Sequence, residues 1–351
     1  MYDFSQYGTP SEEWLKVSSR IPAPQPNLSL VERQGFLNKQ RELQSAKEMD
    51  ILGPMVRTFD CIIPTQDKSH LQARFYTPAN SNTTQRLPVF LFLHGGGFFS
   101  GTVDSEDSVC SRIAINTGII VLNVCYRHTP AHTYPTAWND THDAFEWLHD
   151  HADELGGDPQ RVLVGGISSG AYLAASFVLE KHLGRLSVSR PPIAGQVLMV
   201  PSLINIDCYE RIIQKFEDPS VCSLQQNRDA PLLSMSTFRL FSDLLQIPTP
   251  NVDDLRLNPG YASTSQVVGL PPTVCAVAGL DILRDEGLLY AETLSEAGVP
   301  TDIHMFPGLP HSFAMFPELS EVQRWNRVMD EGISWILSKP IATGRFDIKL
   351  E

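Results

Sequence analysis

The sequence predicts an α/β fold, in which a mostly parallel central sheet is flanked by helices and carries a helical cap. Three observations point there. From about residue 56, short apolar runs alternate with segments of helical spacing, the signature of strands joined by crossover helices. The later runs, among them 119–124 and 161–164, are continuously apolar rather than alternating, as strands covered on both faces must be. A segment at 205–270 separates two such runs and is too long for a plain crossover.

In chain order, residues 1–28 are polar and broken by Pro10, Pro22, Pro24 and Pro26, which predicts an extended arm with at most one short helix around Trp14. Ser29 and Glu32 form a capping-box pattern, and Leu30, Leu37 and Leu43 follow at loose helical spacing, so 29–50 reads as a helix. Strands are expected at 56–63, 71–76, 89–93, 119–124 and 161–164. Between the last two, Trp138, Thr141, Phe145 and Leu148 mark a helix, and Gly156-Gly157-Asp158-Pro159 reads as its stop. Runs at 196–200, 273–278 and 302–306 extend the sheet. The 205–270 segment holds several prolines and an amphipathic piece with Phe238, Leu240, Phe241, Leu244 and Leu245. It reads as a lid, packed with the N-terminal arm over the carboxyl edge of the sheet. The expected division is an arm and cap helices at 1–55, a core in two parts at 56–204 and 271–351, and a cap insertion at 205–270.

A chain of 351 residues, 42% of them hydrophobic, can bury a full core without disulfides. Its formal charge of -13 repels phosphate backbones and anionic lipid surfaces, which argues against nucleic-acid and membrane partners. The cysteines Cys61, Cys110, Cys125, Cys208, Cys222 and Cys275 are scattered, without CxxC or Cys/His spacing suited to zinc, and read as buried free thiols. No basic start leads into an apolar stretch, and no run of about 18 apolar residues occurs, so the expectation is a cytoplasmic protein with no signal peptide or membrane span.

Gly166-Ile167-Ser168-Ser169-Gly170 follows the strand at 161–164 and precedes Ala171-Tyr172-Leu173-Ala174-Ala175, a strong helix opening. Strand, tight turn and helix are the context a nucleophile elbow needs, which makes Ser168 the candidate nucleophile. His94-Gly95-Gly96-Gly97-Phe98 stands at the end of the strand at 89–93. Its glycines let backbone N–H groups converge on a developing oxyanion, where each donor contributes about 3 to 4 kcal/mol to the transition state. His94 reads as a brace for this loop, and of Phe98 and Phe99 one is expected to face a substrate pocket and the other the core. An acid and a base must follow the serine in that order. Asp281 lies just past the run at 273–278 and His311 just past 302–306, both at carboxyl strand ends, where open α/β sheets place their sites. The rival acids Asp285 and Glu286 are expected on the next helix, in solvent, and His304 within a strand. His128 and His132 are spaced like helical metal ligands, but Pro130 breaks the helix and no third ligand follows, so no metal is expected. His149-Asp150-His151 reads as a polar helix end.

Four motifs then coincide: His94-Gly95-Gly96-Gly97-Phe98, Tyr126-Arg127-His128-Thr129-Pro130, Gly166-Ile167-Ser168-Ser169-Gly170, and Asp281-Ile282-Leu283-Arg284-Asp285-Glu286-Gly287 with Pro310-His311-Ser312-Phe313. In order and spacing, from about residue 70 onward, the chain resembles the hormone-sensitive-lipase-like family of α/β-hydrolases, the esterases carrying HGGG. More loosely it is similar to fungal pathway esterases acting on acetylated polyketides. The resemblance implies the α/β-hydrolase fold and a Ser168, Asp281, His311 triad. It also implies an oxyanion hole from the N–H groups of Gly96, Gly97 and Ser169, with Gly95 and His94 in the supporting loop. The arm and the insertion would form a two-part cap shaping acyl and alcohol pockets. The partner would be a small-molecule ester, no metal or cofactor is implied, and homodimers are common in the family. The chain departs from the family pattern where Ile167 replaces an Asp, Ser169 an Ala and Ala131 a Glu, changes that bear on substrate preference. The expected activity is ester hydrolysis through an acyl-enzyme on a small to medium, apolar ester. A cyclase, lyase or transacylase on the same fold is the alternative, and a receptor-like binding protein a more distant one.

Overall fold

The computed structural model describes residues 2–21, 28–81 and 85–351; Pro22, Pro24 and Pro26, read as breakers of the arm, lie outside them. The arm is anchored. One turn of 3-10 helix at Ser5–Gly8 leads to α1 (Glu12–Ser18), whose N-terminus is capped by the Ser11 hydroxyl accepting the Trp14 N–H at 3.1 Å. Trp14 is buried edge-on against Phe316, ring centroids 5.4 Å apart, and the Ser11 N–H donates to the Gly308 carbonyl. α2 (Leu30–Leu52) opens on the capping box of Ser29 and Glu32. Its leucine spacing does not mark its inward face: Leu43 is exposed and Ser45 is buried.

Among the described residues, nine strands form one sheet. They are β1 (Val56–Pro64), β2 (His70–Pro78), β3 (Leu87–Leu93), β4 (Ile120–Cys125) and β5 (Gly157–Ile167), then β6 (Gly195–Met199), β7 (Thr273–Leu280), β8 (Thr301–Pro310) and β9 (Ile348–Leu350). Their order is β1-β2-β4-β3-β5-β6-β7-β8-β9, with β2 antiparallel to both β1 and β4 and every other pairing parallel. Gly156-Gly157-Asp158-Pro159, expected as a stop, instead carries the start of β5. Leu87 pairs with Gly157 and Val89 with Val162, and the irregularity between them absorbs Pro159, which has no N–H for the ladder. β9 was not foreseen. It is three residues long and is fixed from outside the ladder, by Lys349 on Asp302 at 2.5 Å and by Glu351 on His304 and Arg324.

The alternation of side chains along each strand builds two cores. Leu91 and Leu93 of β3 face one layer, which contains α4 (Thr136–His151) and α5 (Ser169–His182). Phe90 and Phe92 face the other, built on α3 (Asp107–Thr117) and on the C-terminal helix Glu321–Leu337. The side chain of each such Leu or Phe stabilises the fold by about 1.5 to 3 kcal/mol on burial.

The insertion between β6 and β7 is a set of short pieces: α6 (Glu210–Ile213), α7 (Ser223–Gln226), α8 (Met235–Leu244) and α9 (Thr264–Val267). It is stitched to the layer below through backbone carbonyls. Trp138 Nε1 and Ser176 Oγ donate to Arg256 O at 3.0 and 2.7 Å, and the Tyr172 hydroxyl donates to Leu257 O. α10 (Arg284–Glu296) follows β7, and α11 is the C-terminal helix already given. No helix among the described residues is long and apolar enough to cross a membrane.

Candidate active site

Ser168 sits between β5 and α5 with φ 55° and ψ -117°, a left-handed conformation that costs a non-glycine residue about 1 to 3 kcal/mol and is held by its surroundings. Its N–H donates to Met199 O at 2.8 Å, and its carbonyl accepts the Tyr172 N–H at 2.9 Å, the first bond of α5. Gly166 and Gly170 both lie against the Leu93 carbonyl, where a Cβ on either would overlap backbone. The small residues of the motif are therefore demanded by β3, which runs beside β5.

His311 occupies the loop after β8, with Nε2 2.8 Å from Ser168 Oγ and Nδ1 2.7 Å from Asp281 Oδ2. A carboxylate at Nδ1 fixes the ring proton there and leaves Nε2 free to accept from the serine hydroxyl. Asp281 is fixed in turn. Its Oδ1 accepts the Leu283 N–H at 3.0 Å, and its carbonyl accepts from Asn227 Nδ2 at 2.9 Å. Asn227 lies just beyond α7, so the insertion steadies the acid; no motif marked it.

The glycine loop is gripped by α2. Gln34 Nε2 donates to Phe99 O at 2.5 Å, Asn38 Oδ1 accepts the Gly101 N–H at 2.8 Å, and the Arg41 guanidinium donates to Gly95 O at 3.0 Å. Residues 34, 38 and 41 share one helical face. Sequence reasoning missed them because it followed the leucines, although three polar residues at this spacing were visible. Arg41 also pairs with Glu106, whose carboxyl is pushed up by burial.

Gly96 and Gly97 have φ of 132° and 65°, both in the left-handed region. The Gly97 N–H donates to Ser169 Oγ at 3.0 Å. Ser169 Oγ lies 3.2 Å from the Tyr126 hydroxyl, which itself donates to His94 O at 2.8 Å, so the Ser169 hydroxyl donates to the tyrosine oxygen. His94 stacks on Tyr126 with centroids 4.3 Å apart, and its Nδ1 is 2.9 Å from Gly95 O. Ser169 thus brings a hydroxyl as well as an N–H to this place.

The structure buries both phenylalanines among aromatic side chains. Phe98 is buried and stacked on Trp138 at 4.9 Å, and Phe99 is wholly buried, 6.0 Å from Phe241. Phe241, on α8, is the aromatic that covers Gly97. The expectation for Asp285 and Glu286 is corrected: both are buried, because α10 begins beneath the insertion rather than in water. Asp285 takes Arg284 Nε at 2.7 Å and the Ser223 N–H at 2.6 Å, while Glu286 accepts the Leu203 N–H at 2.8 Å. Burial holds the Glu286 carboxyl well above the usual glutamate range, and nearby Asp281 and Asp285 raise it further.

A family model described as the alpha/beta hydrolase fold matches residues 90–315, and the chain belongs to that family. Among curated relatives, esterase LipI of Mycobacterium tuberculosis is 35% identical over 247 residues, 68% of this chain and 70% of its own. Versiconal hemiacetal acetate esterase of Dothistroma septosporum is 28% identical over 253 residues, 72% of this chain and 74% of its own. Among solved structures, vibralactone cyclase superposes with a TM-score of 0.84 at 27% identity, covering 95% of this chain and 96% of that one. Within the α/β-hydrolases, the chain belongs with the carboxylic ester hydrolases.

Proposed function

We propose that the chain hydrolyses a small to medium, apolar carboxylic ester through an acyl-enzyme on Ser168. The observation that carries this is the continuous contact from Ser168 Oγ through the His311 ring to Asp281. His311 Nε2 takes the serine proton as Oγ attacks the ester carbonyl, and Asp281 stabilises the imidazolium that forms. The tetrahedral oxyanion collects the N–H groups of Gly96, Gly97 and Ser169. On collapse, His311 returns its proton to the leaving alcohol; it then activates the water that releases the acid. The test is hydrolysis of short-chain p-nitrophenyl esters by wild type and Ser168→Ala. Turnover and organophosphate labelling should both vanish in the variant while its circular dichroism is unchanged; retained turnover would sink the assignment.

A second reading rests on the superposition with vibralactone cyclase. In it the acyl group passes from Ser168 to a nucleophile within the substrate instead of to water. Product analysis on a hydroxy ester separates the two, free acid marking hydrolysis and lactone marking cyclisation. We further propose a reducing, cytoplasmic setting, in keeping with six cysteines that are all free thiols.

A further inference from the structure

Behind the glycine loop lies a cluster that the proposed reaction does not use. His128 does not meet His132 across a helix; the fold brings it instead to His94, ring centroids 5.1 Å apart. One donor atom from each of His94, Cys125 and His128 lies within 4.8 Å of the others. The two histidines come from the ends of neighbouring parallel strands, β3 and β4, which is why spacing along the chain did not pair them. In both rings Nε2 is buried without a hydrogen-bond partner among the described residues. His94 cannot turn to satisfy it, because its Nδ1 is engaged at Gly95 O and its ring is stacked on Tyr126. The Cys125 thiol makes a weak contact with Gly101 O at 3.8 Å. Two unpartnered imidazole nitrogens in one cluster with a thiol form an unusual set, since buried polar atoms ordinarily find partners.

We propose that His94, Cys125 and His128 bind a soft monovalent metal ion, cuprous copper. Three donors of one sulfur and two imidazoles suit a thiophilic ion content with three ligands, whereas structural zinc asks for a fourth. Charge favours the same choice. On binding, the Cys125 S–H releases its proton to solvent and a copper–sulfur bond forms, so thiolate and Cu+ cancel and no net charge is buried. The neighbouring Arg41 guanidinium is already matched by Glu106. Cys125 and His128 are partly exposed, so the cluster lies near the surface.

The test is competition for cuprous ion against bicinchoninate under reducing, anaerobic conditions, read as bleaching of the coloured chelate. Wild type should withdraw one equivalent, and Cys125→Ser and His128→Leu should each weaken that uptake at least tenfold. Both variants should keep metal-free esterase activity and circular dichroism, which shows them folded. No uptake by wild type, or equal uptake by both variants because the other cysteines hold the ion, would overturn the proposal. The binding readout does not depend on esterase action, so failure here leaves the proposed reaction standing, and the converse holds.

Discussion

Ser169 stands one residue past the elbow, and its hydroxyl engages the Gly97 N–H in the resting molecule. For that N–H to serve an oxyanion, this bond must be surrendered or shared. An ordinary hydrogen bond is worth about 1 kcal/mol net, so Ser169→Ala should raise kcat about fivefold with KM little changed. A fall in kcat would mean that the hydroxyl supports the loop more than it competes. Glu286 supports a second residue-level prediction. Its raised carboxyl keeps a proton in the folded state that the unfolded chain releases, so its contribution to stability is greatest at low pH and declines as pH climbs from the ordinary glutamate range through the folded value. Glu286→Gln removes that proton exchange. Thermal melts across this range should therefore show Tm falling more steeply with pH for wild type than for the variant; parallel curves would refute it. The place of Ser168 at the turn between β5 and α5 was legible from its flanking strand and helix, and its meeting with Asp281 and His311 from their positions after β7 and β8. The burial of Asp285 and Glu286 was not, since an acid at the start of a helix looks solvated until the insertion is placed over it.

At the scale of elements, α2 and α8 do work that periodicity hid. α2 was found through its capping box, yet its inward side is chosen by backbone polar groups of the glycine loop rather than by apolar packing, and a hydrophobic pattern cannot report such a face. Replacing Gln34 and Asn38 together by Ala leaves the Arg41–Glu106 pair intact and should loosen the loop. We expect kcat to drop about tenfold, equivalent to about 1.4 kcal/mol, with KM nearly constant; a change confined to KM would refute this. α8 was visible as an amphipathic piece, but that Phe241 covers Gly97 depends on a docking the chain does not spell out. Phe241→Ala should shift the preferred acyl or alcohol group towards bulkier esters, measured as ratios of kcat/KM across a chain-length series.

Across the whole molecule, the site is an assembly of strand ends. Ser168 follows β5, Asp281 β7 and His311 β8, so neighbour spacings of about 4.8 Å put His311 roughly three strands from Ser168. The loop after β8 must lean back over β7 and β6 to reach it, and the arm helps to hold that loop's foundation through Ser11 on Gly308. Trp14 is the arm's anchor, and Trp14→Ala should cost about 3 to 5 kcal/mol, seen as a lowered urea midpoint. That the sheet is mostly parallel was readable because its later strands are apolar on both faces; β9 was not, since three residues held chiefly by charged side chains carry no strand pattern.

The grip of α2 on the glycine loop also limits how freely this protein can exchange parts with its relatives. An N-terminal segment transplanted from another hydrolase would replace Gln34, Asn38 and Arg41, and with them the fastening of the loop. α2 and the glycine loop are thus one unit of inheritance. A chimaera altered for specificity alone should lose speed, and restoring those three side chains on the foreign helix should return it.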